Sequence, residues 1–539
     1  MATEARLTVE LSGRAASPGL ALGPLVVMAE VPAARRAAAG PTEEAAALSA
    51  ALEAVVAELG QLGAAADAEA AAILEVQIAM LEDDALRQPA LAAITRGAAA
   101  DTAWAQVLDD EIRGYESAND EYFRARASDL RDIRDRVVRR LRGGLGVSVL
   151  PGAVVAAVDL APSRFLEIDW SAGGAVALAA GSPLSHVAML ARARGVPMVV
   201  RLGPMELGDH REAIVDGDAG RLVLSPDEEA RRTCRRQRES ERQRRQEDLR
   251  FLPRPALTRD GRRISVLVNV AGAAELERVD PACCDGVGLV RTEFLFLGGA
   301  GLPDEERQVI AYRQILAWAA DRPVTIRTLD AGGDKPIAGL TIAGESNPFL
   351  GVRGIRLSLA RPDVFRVQLR ALARAAVDGN LKVMLPMVTI PGELEAVRRL
   401  LDEVVAELVA AGVPARRPPL GMMVEVPAAA LAIDLFNADF FSIGSNDLVQ
   451  YVTASARDSG AVAELADPAN PAVLRLIEAV VREGRRRGVE VSLCGDIAGD
   501  PRYIPGLLAC GLSVLSVAPS AVARTKAVIA ELPVAGAGR

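Results

Sequence analysis

Aromatic residues make up 3% of this 539-residue chain, while half of it is apolar. Any large core must therefore be filled by Leu, Val, Ile and Ala. Histidine is scarcer still, with His186 and His210 the two in the sequence. The five cysteines, Cys234, Cys283, Cys284, Cys494 and Cys510, are odd in number and irregularly spaced. No Cys-x-x-Cys pair or His/Cys cluster suggests zinc, and a reduced, cytoplasmic protein is expected. A net charge of −9 argues against nucleic acid as a main partner. No run reaches the length of a membrane span, so no membrane insertion is expected. The opening residues, Met1 to Arg6, lack the charged-then-apolar form of a signal peptide.

The length allows roughly two to four domains. Residues 7–30 hold short β-like runs such as Leu25 to Met28. Residues 42–143 are rich in Ala, Leu, Glu and Arg and nearly free of strand signals. A helix starts at Thr42-Glu43-Glu44, and further helical runs lie near 65–84, 100–117 and 119–142. From 147 to 225 short strands alternate with helices: Val154 to Asp159 reads as a buried strand, and Ile214 to Leu224 as a hairpin. His210 falls in a polar surface loop. Residues 226–250 mix dense charges of both signs among helix formers, the pattern of a solvated linker helix. Eight strand-like runs follow, near 264–270, 286–290, 324–328, 382–386, 420–425, 439–443, 490–494 and 513–517, which suggests a (βα)8 barrel.

His186 lies in Gly181-Ser182-Pro183-Leu184-Ser185-His186, followed by an apolar, alanine-rich helix. Imidazole is a good nucleophile near neutral pH. A helix N-terminus favours a phosphate and disfavours imidazolium. A structural histidine at a helix start fits the segment equally well.

In a (βα)8 barrel, chemistry gathers where strands end. The strand ends here carry Arg291, then Arg327 with Asp330 and Lys335, then Glu425, then Asn446-Asp447, then Cys494. Arg353, Arg356 and Arg457 add cations. Arginine within an apolar strand needs a reason, because desolvating a charge is costly. Several arginines and a lysine at one mouth would bind a small polyanion, since guanidinium matches phosphate and carboxylate in bidentate fashion. Glu425 and Asp447 are hard oxygen ligands suited to Mg²⁺. Cys494 could be a proton donor, a nucleophile or a buried apolar thiol.

Together these motifs resemble Enzyme I of the bacterial phosphoenolpyruvate-dependent sugar phosphotransferase system. The resemblance runs from Ala16-Ser17-Pro18-Gly19 to Ala518 and includes Met80 to Asp84, Asp120 to Ile133, Asn347 to Arg353 and Cys494 to Asp500. It implies an α/β multidomain fold: a phosphohistidine α/β domain that swivels (1–30 and 144–225), an inserted all-α subdomain that binds the carrier protein HPr (31–143), a charged linker (226–254), and a TIM-type (βα)8 barrel that binds phosphoenolpyruvate and forms a homodimer (255–539). It implies that His186 takes the phosphoryl group and passes it to HPr, leaving pyruvate. Arg291 and Arg327 would hold the phosphate, Glu425 and Asp447 would hold Mg²⁺, and Asn446 and Arg457 would contact phosphate and carboxylate. Lys335 and Arg353 would be further anion contacts, and Cys494 the acid that protonates the enolate.

The chain departs from the family pattern at Leu184, where Thr is usual, at Asp496 for Glu, and at Ala456 for Asp. A pyruvate–phosphate dikinase or synthase would need a nucleotide domain, and no Walker-type loop is present. A phosphoenolpyruvate-sensing scaffold with a degenerate site is the non-enzymatic alternative. With no sensory domain ahead of the match and no HPr-like histidine, the sequence favours sugar uptake with HPr acting in trans.

Overall fold

The computed structural model describes residues 8–28, 38–64, 68–116, 121–143, 149–183, 185–208, 210–297, 301–333, 335, 337, 339–342, 344–456 and 462–532. Leu184 and Arg457 lie outside them. The chain divides into two compact units, Met1–Arg242 and Gln243–Arg539.

The first unit is built on an eight-stranded mixed sheet: β1 Val9–Ser12, β2 Arg14–Ser17, β3 Leu20–Val27, β4 Val154–Ala157, β5 Ala175–Leu178, β6 Met198–Val200, β7 Glu212–Asp216 and β8 Arg221–Leu224, in the order β1-β8-β7-β3-β4-β5-β6-β2. β3, β4, β5 and β6 are parallel neighbours. β7 and β8 form the antiparallel hairpin expected from the sequence, with Gly220 in the left-handed region at φ 68°. Strand residues alternate between two apolar layers, Val176, Leu178, Met198 and Val200 in one and Val154, Ala175, Ala177 and Val199 in the other.

Five helices are inserted between β3 and β4: α1 Pro41–Ala64, α2 Ala68–Glu82, α3 Asp84–Thr95, α4 Ala100–Glu116 and α5 Glu121–Leu141. The short α3 was not separately expected. Asp83 starts it as an N-cap, its carboxylate accepting from the Ala85 amide at 2.9 Å. The acids at 82–84 thus serve a helix junction. Among the described helices, α1 has the length and apolarity of a membrane span. Its apolarity comes largely from alanine, and its Leu48, Leu52, Val55 and Leu59 face fills the bundle core with Leu74, Trp104, Leu108 and Ile133. Helices α6 Pro162–Glu167 and α7 His186–Arg194 follow β4 and β5. The charged segment forms one helix, α8 Glu228–Asp248, which crosses the boundary between the units.

The second unit adds β9 Ala256–Leu257, β10 Arg263–Val270, β11 Val287–Arg291, β12 Val324–Arg327, β13 Leu381–Leu385, β14 Leu420–Val424, β15 Phe440–Ile443, β16 Glu490–Leu493 and β17 Val514–Val517. Strands β10 to β17 are all parallel and close through the β10–β11 pairing, a TIM-type barrel, with β9 an antiparallel flap on β10. Leu289, Met384, Met423, Phe440 and Cys494 pack together as one cluster. A side chain on Gly421 would come within 2.6 Å of the Phe440 ring, so glycine there lets the ring fill its place.

Trp104 is the largest fully buried side chain of the bundle. Trp104→Ala should destabilise the first unit by about 3–5 kcal/mol, and Trp104→Phe by less. Chemical denaturation followed by circular dichroism checks this; equal midpoints for wild type and Trp104→Ala would refute the packing assigned to this helix.

Candidate active site

In the first unit, His186 opens α7, where the Ser185 hydroxyl caps the helix by accepting from the Ala188 amide at 3.3 Å. The His186 side chain is 33% exposed, and its Nδ1 lies 3.7 Å from a buried Asp129 oxygen on α5. That helix is fixed against α6 by Asp132, which accepts from the Ser163 hydroxyl at 2.7 Å and from Gln77 at 3.0 Å. Burial pushes the Asp132 carboxyl up from its ordinary range. His210 lies in the irregular segment ahead of β7, as expected, but is half-buried, with Nδ1 2.7 Å from the Ser225 hydroxyl.

In the second unit, the strand ends bring together most of the residues singled out in the sequence. The parallel register sets Arg291 beside Arg327. Arg327 Nη2 donates to Glu293 at 3.0 Å, and its Nη1 stands 3.2 Å from Asp330. Its Nε is buried and has no hydrogen-bond partner. Asp330 is fully buried and also receives Lys335 Nζ at 3.2 Å and both Arg353 Nε and Nη2 at 3.1 Å. These cations hold the Asp330 carboxyl well below the usual carboxylate range in spite of its burial.

Arg353 has no exposed surface. Beyond Asp330, it donates to both Asp447 oxygens, at 2.8 and 3.1 Å, and to the Tyr451 hydroxyl at 3.4 Å. The arginine is therefore turned to carboxylates. Tyr451 in turn donates to the Phe349 carbonyl at 2.6 Å, and burial pushes its phenol up to about 12.

Glu425 is buried at the end of β14, one oxygen accepting from the Met387 amide at 2.6 Å. Met387 holds that amide in place from a left-handed backbone, φ 59°, a costly conformation for a non-glycine residue. Burial first, then the Asp447 and Asp330 carboxylates, push Glu425 up to about 8, against the pull of Arg327 and Arg353. Asn446 is half-buried and pairs reciprocally with Asp496: its Nδ2 donates to the Asp496 carboxylate, and its Oδ1 accepts the Asp496 amide, both at 3.0 Å. Between Cys494 and Asp496, a Cβ on Gly495 would come within 1.7 Å of the Ser445 hydroxyl, so the two loops approach closely only over glycine.

Cys494 is buried, with Sγ 3.6 Å from the Ile443 carbonyl. Burial pushes its thiol up to about 11, although the nearby Ser442 side chain and the Arg327 and Arg291 charges work against that. A thiol so placed keeps its proton at neutral pH, which suits an acid and not a resting thiolate nucleophile. Glu293, Asp330, Tyr451 and Asp129 had no role assigned from sequence. Glu293 and Asp330 left a signal, as acids a few residues past a strand-end arginine; Tyr451 and Asp129 left none, since tertiary packing alone brings them in.

Three family models match the chain: "PEP-utilising enzyme, PEP-binding domain" over residues 245–534, "PEP-utilising enzyme, N-terminal" over 12–126, and "PEP-utilising enzyme, mobile domain" over 149–220. A phosphoenolpyruvate-protein phosphotransferase of Priestia megaterium is 35% identical over 542 residues, covering 98% of this chain and 94% of that protein. One of Haloferax volcanii is 39% identical over 480 residues, covering 87% and 83%. A multiphosphoryl transfer protein of Rhodobacter capsulatus is 39% identical over 464 residues, covering 85% of this chain but 56% of that longer relative. With the N-terminal, mobile and phosphoenolpyruvate-binding models matched in order along the chain, it belongs to the phosphoenolpyruvate-utilising enzymes, in their phosphoenolpyruvate–protein phosphotransferase family.

Proposed function

We propose that this enzyme moves the phosphoryl group of phosphoenolpyruvate onto His186 and then onto the carrier protein HPr, the entry step of sugar uptake by the phosphotransferase system. The observation that carries the reading is the set of cations on neighbouring strand ends, Arg291 and Arg327 with Lys335 beside them, where Arg327 keeps a buried, unpaired Nε. A buried donor without an acceptor is costly, and a phosphate oxygen would satisfy it. Arg291, Arg327 and Lys335, with Arg457, bind phosphate and carboxylate; Asn446, held by Asp496, contacts the phosphate. Arg353 acts at one remove by holding Asp330 and Asp447.

An imidazole nitrogen of His186 attacks phosphorus as the bridging P–O bond breaks, and the enolate leaves. The enolate carbon takes the Cys494 proton to give pyruvate. The thiolate left behind sits beside Arg327 and Arg291 and regains a proton from water. Phosphoryl transfer needs mainly alignment and charge neutralisation, which the arginines supply.

Glu425 and Asp447 fit a divalent cation, Mg²⁺ in this reading. A carboxyl pushed up by burial and then by neighbouring carboxylates is one that a cation would ionise. Among the described residues no cluster of three ligating side chains occurs. Two carboxylates with water and substrate oxygens completing the shell is usual for Mg²⁺. The ion would supply charge neutralisation at the substrate oxygens.

In the same proposal, residues 1–30 and 144–225 form the phosphohistidine domain, 31–143 the HPr-binding subdomain, 226–254 the linker, and 255–539 the barrel. Dimerisation through the barrel is supported by exposed Leu431 and Leu435 on adjoining turns. The five cysteines are free, which supports a cytoplasmic setting.

Incubation with phosphoenolpyruvate carrying radioactive phosphorus should place acid-labile, base-stable label on wild type and none on His186→Ala. An unlabelled but folded wild type that binds phosphoenolpyruvate would favour the sensing scaffold. Cys494→Ala should slow pyruvate formation by about 10²- to 10⁴-fold with phosphoenolpyruvate affinity retained, read by coupled assay and calorimetry. Since the Glu425 proton must leave for the metal, Mg²⁺ or Mn²⁺ affinity should rise about tenfold per pH unit below about 8 and level off above it. Calorimetry of the enzyme without substrate checks the sign; Glu425→Gln should bind weakly and without that slope.

A further inference from the structure

A buried carboxylate oxygen normally accepts a hydrogen bond, and one oxygen of Asp129 does not. The Asp129 side chain is 4% exposed, its Oδ1 has no hydrogen-bond partner, and that atom faces Nδ1 of His186 at 3.7 Å. The separation is within ion-pair reach and longer than a hydrogen bond; such contacts in unliganded sites commonly tighten only when the reaction complex forms. The approach is built into the packing. Asp132, one helical turn further along α5, is saturated by Ser163 and Gln77 and pins α5 to α6. The Ser185 cap fixes the start of α7 on the other side. The carboxylate and the ring are thus held face to face by partners that have no part in the chemistry.

We propose that Asp129 is a positioning residue for phosphoryl transfer: it keeps the proton of neutral His186 on Nδ1, so that the lone pair lies on Nε2, and it offsets the positive charge of the ring once Nε2 carries phosphorus. The proposal rests on His186 being the phosphoryl acceptor. In the step itself the Nε2 pair forms the N–P bond, the P–O bond to the enolate breaks, and Nδ1 keeps its proton, so the ring becomes a phosphoimidazolium beside the Asp129 carboxylate. When phosphorus leaves for the next acceptor, the N–P pair returns to Nε2 and the ring is neutral again, in the same tautomer.

Two histidines in the chain make the test direct. In the full-length protein labelled with nitrogen-15 at histidine, at about pH 8, two sets of ring signals arise, with His210 and its Ser225 bond as internal reference. Wild-type His186 should show the Nδ1–H form, and Asp129→Ala should move it toward Nε2–H. Labelling from phosphoenolpyruvate should slow by about 10- to 100-fold. Asp129→Asn, which offers a neutral acceptor, should keep the tautomer but still slow transfer. Label on wild type together with an unchanged His186 tautomer in Asp129→Ala, His210 signals being unmoved, would overturn the assignment alone. If Asp129→Ala shifts the His210 signals and so disturbs the fold, the isosteric Asp129→Asn decides, and an unchanged transfer rate there overturns it. No label on wild type would overturn the functional reading and this proposal with it.

Discussion

The barrel mouth depends on one buried carboxylate. Asp330 has no exposure to solvent, and Arg327, Lys335 and Arg353 all converge on it. An ion pair removed from water gains stability only when its geometry is good and its remaining polar atoms are satisfied. Here the same acid serves three cations, and its partners extend the lattice to Glu293 on one side and Asp447 on the other. Removing Asp330 would leave Arg353, with no exposed surface, with Asp447 as its one carboxylate partner, and Arg327 with Glu293. The cations hold their places before a substrate arrives because Asp330 fixes them, so little reorganisation is left for the reaction.

The lattice also explains why neighbouring acids behave in opposite ways. Asp330 sits among cations and stays ionised, whereas Glu425, beside Asp447 and Asp330, is pushed up to about 8. Arg353 pairs with Asp447, yet burial first, and then Asp447 and Asp330, hold Glu425 toward its neutral form against the pull of Arg327 and Arg353. A bound cation would ionise Glu425, while Cys494, buried and protonated, has a proton to give. The proposed metal site and the proposed acid are set by the same burial acting on groups with different neighbours.

Much of this was legible in the sequence. The eight barrel strands follow from short apolar runs spaced by helix-sized segments, and all eight form, within a residue or two of the expected limits. The hairpin ending at Leu224 follows from its glycine turns. Helix α3 was less legible, because Pro89 within it and the acids ahead of it read as a break. The residue types at the mouth could be read from strand ends, but not their pairing. Nothing local distinguishes Arg353, which turns inward to two carboxylates, from Arg291, which stays half-buried at the rim. Asp496 looks like a departure from the family pattern, yet its carboxylate and amide both reach Asn446, 50 positions away. Asp129 lies on the helical insertion, and only packing brings it to His186.

The two reactive centres need opposite electrostatics. A barrel mouth that binds a phosphorylated acid must be rich in cations, and a neutral imidazole set permanently among them would lose basicity. A histidine intended to accept and then release phosphorus gains instead from a carboxylate, which fixes its tautomer and shelters the transient positive ring. Placing Asp129 permanently at the mouth would add an unpaired acid to a cluster whose Glu425 is already pushed toward its neutral form. On the proposed reading, housing the nucleophile and the anion site in separate compact units lets each keep the charge its own step requires. In the proposed mechanism, that division is a physical reason to keep histidine and anion site apart that is independent of how many partners the histidine serves.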